Sequence, residues 1–262
     1  MTIEAKAVSY RIVDKQILHD ISLNVQSQEF VGLIGPNGSG KSTLLKNMYR
    51  LLQPEHGQII LYDEDIRQQK DKAIAKKMAV VGQESPVLFD FSVRDIVAMG
   101  RAPHKKMFAL DDKDDVIIIN QALQQAGISH LANRDFSSLS GGEKKRAIIA
   151  RALTQQAKLL ILDEPTNHLD IKHQLQVMDL ISSLKLTVLA ALHDLNIAAT
   201  YCDRIYVIKD GRVVTSGTPV EVLTPQLLRK VFDVHAEVTL HPLTQRPSIT
   251  YLSEKQIKEH LQ

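Results

Sequence analysis

The sequence predicts an α/β fold, a strand–helix core interrupted by a helical insert. Three observations predict it. Short apolar runs at residues 30–34, 158–162 and 186–192 carry a β-branched bias and read as buried parallel strands. The first of them runs straight into a glycine-rich turn and then a helical stretch, residues 42–52, which stops before Pro54. Between Ser92 and Ala152 the texture is mainly helical.

Taken in order, residues 8–10 and 17–25 read as strands of an antiparallel opening, followed by the 30–34 strand and its helix. Residues 58–61 and 78–81 are further strands. Ser92 is placed to cap a helix over 93–99. The helix over 116–125 follows Asp111, Asp112, Asp114 and Asp115. That acidic group lacks the glycine and terminal glutamate of a calcium loop and reads as a solvated, dipole-favoured helix start. Residues 204–209 and 212–216 flank Asp210-Gly211, a strong hairpin signal. The tail over 237–251 reads as another small hairpin. The expected division is one domain over 1–262. Residues 1–85 and 157–235 form the core with its antiparallel sheet, 86–156 a helical subdomain, and 236–262 a C-terminal hairpin and tail.

The 262 residues suffice for one substantial α/β domain, and 44% hydrophobic with 24% charged residues is ordinary for a globular chain. A net charge of +2 lacks the basic excess of a nucleic-acid binder, so no nucleic-acid partner is expected. The single cysteine, Cys202, can close no internal disulfide and reads as a buried small side chain. No secretory signal is visible, and no apolar run approaches the length of a membrane span. A membrane role would then require partners that cross it.

The chemistry starts at Gly35-Pro36-Asn37-Gly38-Ser39-Gly40-Lys41-Ser42-Thr43, which matches the P-loop pattern between a strand and a helix. Glycines let backbone N–H groups turn inward around phosphates, and the helix N-terminus adds its dipole. Lys41 is positioned for the β and γ phosphates and the Ser42 hydroxyl for Mg²⁺. Further on, the apolar run 159–162 ends in Asp163-Glu164, resembling the Walker B strand of P-loop ATPases. That resemblance gives Asp163 to Mg²⁺ and Glu164 to a water beside the γ phosphate.

Leu139-Ser140-Gly141-Gly142-Glu143, just upstream of that strand and opening a helix, resembles the signature motif of ATP-binding cassette (ABC) ATPases. Four features agree in kind and order. Gln83 follows a strand, as the Q-loop glutamine does. Leu169-Asp170 resembles the D-loop, His193 the switch histidine, and Tyr10 the aromatic that stacks on adenine. Glu143, Lys145 and His168 depart from the commonest residues at their positions.

The resemblance implies a RecA-like P-loop NTPase core with an antiparallel β subdomain and an inserted helical subdomain. It implies ATP and Mg²⁺ as ligands. Glu164, His193 and Gln83 fall in the catalytic positions. Tyr10, Gly35, Asn37, Gly38, Ser39, Gly40, Lys41, Ser42 and Thr43 take the nucleotide, as do Ser140, Gly141, Gly142 and Asp170. Ser42, Gln83 and Asp163 fall at the metal. A Ser and two glycines at a helix N-terminus form a second anion cradle. In the family that cradle grips ATP bound to the opposite subunit across a two-fold interface. The partners implied are a second copy or paired nucleotide-binding subunit, membrane permease subunits and, indirectly, an extracytoplasmic binding protein. The place implied is the cytoplasmic face of the cell membrane, peripherally attached.

Soluble ABC ATPases of DNA or ribosomes are the competing class, but the interval from Ser42 to Leu139 holds only a compact insert and there is one cassette. Met99-Gly100-Arg101-Ala102-Pro103-His104 resembles the Gly-Arg-x-Pro-His segment of iron–siderophore, haem and cobalamin importer ATPases. The stretch His193-Asp194-Leu195-Asn196, with Tyr201-Cys202-Asp203-Arg204 and the tail Leu243-Thr244-Gln245-Arg246-Pro247, also resembles that group. Zinc or manganese importer ATPases are the alternative. By the same resemblance, the segment from Gln83, Glu84, Ser85, Pro86 and Phe89 to Arg101 is expected to line the groove that receives a permease helix.

Overall fold

The computed structural model describes residues 1–82, 90–106, 110–253 and 255. Along the chain run β1 (Ile3–Ile12), β2 (Lys15–Val25), β3 (Phe30–Ile34), α1 (Lys41–Met48), β4 (His56–Leu61) and β5 (Glu64–Asp65). Then come α2 (Asp71–Lys77), β6 (Met78–Val81), α3 (Val93–Ala98), a 3₁₀ stretch (Met99–His104), α4 (Lys113–Gln125), α5 (Gly141–Thr154), β7 (Leu159–Asp163) and α6 (Ile171–Ser183). The chain closes with β8 (Thr187–Ala191), α7 (Leu195–Tyr201), β9 (Arg204–Lys209), β10 (Arg212–Gly217), α8 (Pro219–Val222), α9 (Pro225–Phe232), β11 (His235–Leu240) and β12 (Pro247–Leu252). The chain forms two compact units, Met1–Asp65 with Leu189–Gln262, and Ile66–Val188.

In the first unit β1 is flanked by antiparallel partners on both sides, in the order β2-β1-β4-β5. The register sets Tyr10 opposite Leu18 and Ile3 opposite both Val25 and Leu61. β3 is buried at every residue, as its unbroken apolar run requires. It pairs in parallel with β9, and β9 turns back into β10 through Asp210 and Gly211. Both turn residues have positive φ, 50° and 70°, the geometry of a two-residue type I′ turn. The C-terminal hairpin β11–β12 is tied to α7 in both directions: Asn196 Nδ2 donates to the Ile249 carbonyl at 3.2 Å, and Ile249 N–H donates to Asn196 Oδ1 at 2.8 Å. Cys202 is wholly buried beside β3. A Cβ on Gly32 would stand 2.6 Å from its Sγ, so only glycine fits there.

In the second unit β6 and β7 pair in parallel, Met78 with Leu159 through Val81 with Leu162. α3, α4 and α5 enclose their own core, with Val93, Ile96, Ile119, Leu123, Phe136 and Ala147 all buried. Ser92, Asp112 and Ser140 each cap a helix with a reciprocal capping box.

Two expectations are corrected here. Arg101, expected to line an open groove, is 6% exposed. Its Nε lies 2.7 Å from Asp115 Oδ1, and its Nη1 donates to the Thr154 carbonyl and to Gln156 Oε1. Asp115, expected to be solvated, is the other half of that buried pair, and the Arg101 hydrogen bond holds its carboxyl below the usual range. The same short segment places His104 Nε2 2.8 Å from the Gln155 carbonyl and Gly100 so close to the Arg151 carbonyl that a Cβ would overlap it. The segment therefore closes the carbonyl end of α5, where helix carbonyls lack internal partners and a cation suits the dipole.

Candidate functional site

The P-loop is built from both its own backbone and its surroundings. Gly38 and Gly40 take φ of 76° and 103°. A Cβ at Gly40 would also meet Leu18 Cδ2 at 2.8 Å. Gly35 is pressed against the Ile208 carbonyl, 2.0 Å from where a Cβ would lie. Gly211 of the β9–β10 turn braces the loop from behind, its N–H donating to the Ser39 carbonyl at 3.1 Å. Lys41 is 4% exposed and curls back so that Nζ donates to the Gly35 and Pro36 carbonyls at 2.7 and 3.1 Å. Asn37 and Gly38 at the tip are exposed, while Ser42 and Thr43 are half-buried at the start of α1.

The residues present fit a bound phosphate. The buried Ser39 Oγ has no hydrogen-bond partner. A buried ammonium surrounded by carbonyls, at a helix N-terminus, suits an anion close by. Tyr10 is half-buried and one strand away, opposite the Leu18 whose side chain covers Gly40. Leu192 N–H donates to the Leu33 carbonyl at 3.0 Å, so His193 follows directly where its strand lies beside β3, two residues short of Gly35. His193 is exposed. The sequence-predicted residues of the first unit thus gather at one end of β3.

The second unit carries the other group. Asp163 ends β7 and is 2% exposed. Glu164 follows with φ of 53°, a left-handed backbone that a non-glycine residue adopts only where its surroundings hold it. Its carboxylate accepts from Asn167 Nδ2 at 3.0 Å. Asp170 N-caps α6, accepting from the His173 N–H and lying 2.8 Å from His173 Nδ1. The backbone hydrogen bond from His173, then its ring, lowers the Asp170 carboxyl from its usual value.

Ser140 is exposed at the N-terminus of α5 and accepts from the Glu143 N–H at 3.4 Å. In return Glu143 Oε2 accepts from the Ser140 N–H at 2.8 Å and its hydroxyl at 2.7 Å. Those bonds, the hydroxyl's first, lower the Glu143 carboxyl. Gly141 is open, a Cβ there meeting only Leu169 Cδ2 at 3.6 Å, whereas a Cβ on Gly142 would lie 2.4 Å from His173 Cδ2. Gly141 and Gly142 therefore lie close to Leu169 and His173 within this unit. Gln83 lies outside the described residues, as do Glu84, Ser85, Pro86 and Phe89.

Residues 18–167 match the family model described as ABC transporter. The chain belongs to the ABC transporter family. The cassette is 39% identical to the cobalamin import ATP-binding protein BtuD of Halobacterium salinarum over 97% of its own length, and it spans 65% of that relative. It is 38% identical to the iron(3+)-hydroxamate import ATP-binding protein FhuC of Bacillus subtilis, over 94% of this chain and 93% of that one. Among solved structures, one described as a metal-chelate type ABC transporter in an inward-facing conformation superposes with a TM-score of 0.84 at 26% identity, covering 97% and 98% of the two chains. The dimeric post-hydrolysis state of the cassette MJ0796, bound to ADP and Pi, superposes with 0.71 at 28%, covering 83% and 98%.

Two features escaped sequence reasoning. The left-handed Glu164 has no local signal, since nothing in Asp163-Glu164-Pro165 marks positive φ. The buried Arg101–Asp115 pair is spelled by residues far enough apart that only folding joins them.

Proposed function

We propose that the cassette hydrolyses ATP as one of two paired nucleotide-binding subunits that drive a membrane importer for iron–siderophore, haem or cobalamin cargo. The observation that carries this reading is the exposed N-terminus of α5, where Ser140 and Gly141 offer a second anion cradle besides the P-loop. Two cradles in one chain suit ATP held between two copies. The dimeric solved relative and the importer relatives support the pairing and the transport role. Among the described residues no helix is long and apolar enough to cross a membrane. In this reading the cassette binds peripherally, at the cytoplasmic face, to permease subunits served by an extracytoplasmic binding protein.

In the proposed reaction, Lys41 and the P-loop amides hold the β and γ phosphates, and Tyr10 stacks on the adenine. Ser42, Asp163 and Gln83 would hold Mg²⁺, which would supply positive charge to neutralise the phosphates. Glu164 takes a proton from the water that attacks the γ phosphorus, and the bond to the ADP oxygen breaks. His193 steadies the γ phosphate, while Ser140, Gly141, Gly142 and Asp170 act toward the nucleotide of the partner copy. Glu164→Gln should keep ATP binding and lower turnover about 10²–10⁴-fold, as loss of a general base does. That variant should accumulate as a dimer in ATP. Size exclusion in ATP that shows monomer alone would count against the paired mechanism. Recovery of the native complex from ribosomes rather than membranes would count against transport.

A further inference from the structure

Three stretches that stand apart in the sequence, residues 193–196, 201–204 and 243–247, meet in the first unit around α7. Asn196, in the first turn of α7, holds Ile249 of β12 in both directions, its Nδ2 donating at 3.2 Å and its Oδ1 accepting at 2.8 Å. Ile249 is buried. The amide thus offers the open edge of β12 the donor and the acceptor that one residue of a third strand would. A carboxylate of the same size could only accept. At the far end of the helix, Arg246 Nη1 donates to the Cys202 carbonyl at 2.6 Å, where a cation suits the helix dipole. Arg246 is itself placed by the hairpin turn, its carbonyl accepting from the His241 N–H at 2.8 Å.

The helix so held begins beside His193. Asp194 caps it, accepting from the Asn196 and Ile197 N–H groups at 2.7 and 3.1 Å, and His193 is the residue before that cap. Burial, and then the Asp194 charge, raise the Tyr251 phenol, so β12 reaches the cap as well as the first turn. On the other side β3 fixes the neighbouring segments. Leu192 N–H donates to the Leu33 carbonyl at 3.0 Å, and Asp203 N–H donates to the Phe30 carbonyl at 2.8 Å. His193 is exposed, yet it stands between two anchored segments, one against β3 and one against the hairpin.

We infer that the C-terminal hairpin positions His193 for ATP hydrolysis, with Asn196 and Arg246 as positioning residues that act through α7. The inference rests on the reading that His193 steadies the γ phosphate. An exposed ring between two elements is aimed reproducibly only when both are fixed, and a displacement of about 1 Å at a reacting group can cost about a hundredfold in rate. Breaking one of the two fastenings should cost less. Neither residue belongs to the P-loop, so a loosened clasp should slow turnover without weakening nucleotide binding.

The test uses the full chain, assayed for steady-state ATP hydrolysis and, by calorimetry, for MgADP binding. Asn196→Ala and Arg246→Met should each lower kcat about tenfold, with KM for ATP and MgADP affinity unchanged. Arg246→Lys, which keeps a charged donor, should restore most of the rate. His193→Ala is the reference and should lose more. In that background Asn196→Ala should cost nothing further, because the clasp acts through the missing ring. An unchanged kcat in His193→Ala would overturn the reading of the histidine itself. A loss at His193 with none at Asn196 and Arg246 overturns the clasp alone, and so do losses that multiply when His193 and Asn196 are replaced together. MgADP affinity that falls in step with kcat also overturns it, since the hairpin would then serve the whole unit rather than the ring.

Discussion

At residues 35–43 the anion cradle is closed upon itself, with a buried lysine turned onto its own loop's carbonyls and glycines wedged where no Cβ fits. At residues 139–143 the proposed second cradle is open, an exposed serine held by a capping box and a glycine with room beside it. The first is shaped by backbone conformation and by what packs behind it. The second is an ordinary helix start whose position depends on where its helix is anchored. The difference teaches that one kind of binding can rest on a rigid local scaffold or on a lever fixed at its far end.

Breaking the far anchor should give the largest effect. Asp115→Asn strands Arg101 in a buried place, and removing one partner of a buried pair costs about 3–5 kcal/mol. Thermal denaturation should show that loss. The folded fraction should keep its monomeric nucleotide affinity yet dimerise poorly in ATP. An unchanged melting temperature would show that α5 is not held from that end. Arg101→Glu, facing Asp115 with a second carboxylate, should not fold at all.

Next in size is the first cradle itself. Lys41→Ala removes a charged donor worth about 1.5–3 kcal/mol, so nucleotide should bind about 10- to 100-fold more weakly in a direct titration. Ser140→Arg should instead leave that affinity alone and block dimerisation in ATP. Equal effects of the two variants on monomeric binding would erase the contrast between the cradles.

A matched glycine pair sharpens the contrast further. Gly40→Ala forces a Cβ against Leu18 at a φ that side chains avoid, and should cost about 1–3 kcal/mol in urea denaturation. Gly141→Ala should cost no stability, since its Cβ meets one side chain at ordinary contact distance. A loss at Gly141 equal to that at Gly40 would mean the open cradle is as constrained as the closed one.

The smallest effect is expected at Glu143. Its folded-state carboxyl titrates below the unfolded value because of Ser140. Its capping contribution is therefore present above the unfolded value and disappears as pH falls through the lowered one. Glu143→Gln should flatten the acid side of the stability profile by about 0.5–1 kcal/mol, a capping increment. A superimposable profile would show that the box does not depend on charge.

What could be read from the sequence follows the same division. The P-loop, the Asp210-Gly211 turn and the Ser92 cap are spelled by adjacent residues, and they form as read. The signature helix was legible at its start, because Ser140 and Glu143 stand three apart. Its other end was not, because Arg101 and Asp115 show their partnership only after α3, α4 and α5 pack. For the same reason Arg101 looked like a surface residue, since arginine is almost always exposed unless paired. Glu164's backbone was illegible because no glycine, asparagine or aspartate stands at that position to mark a left-handed residue.

The buried sulfur of Cys202 has a practical consequence. It is the single thiol among 262 residues, enclosed against Gly32, and burial pushes its ionisation far upward. Only the thiolate attacks, so maleimides and mild oxidants should leave the native chain unmodified. A cysteine introduced at an exposed residue such as Leu175 would then be the one reactive handle, with no need to engineer away the original. Spectroscopic labels or cross-links between copies could be placed on an otherwise wild-type background.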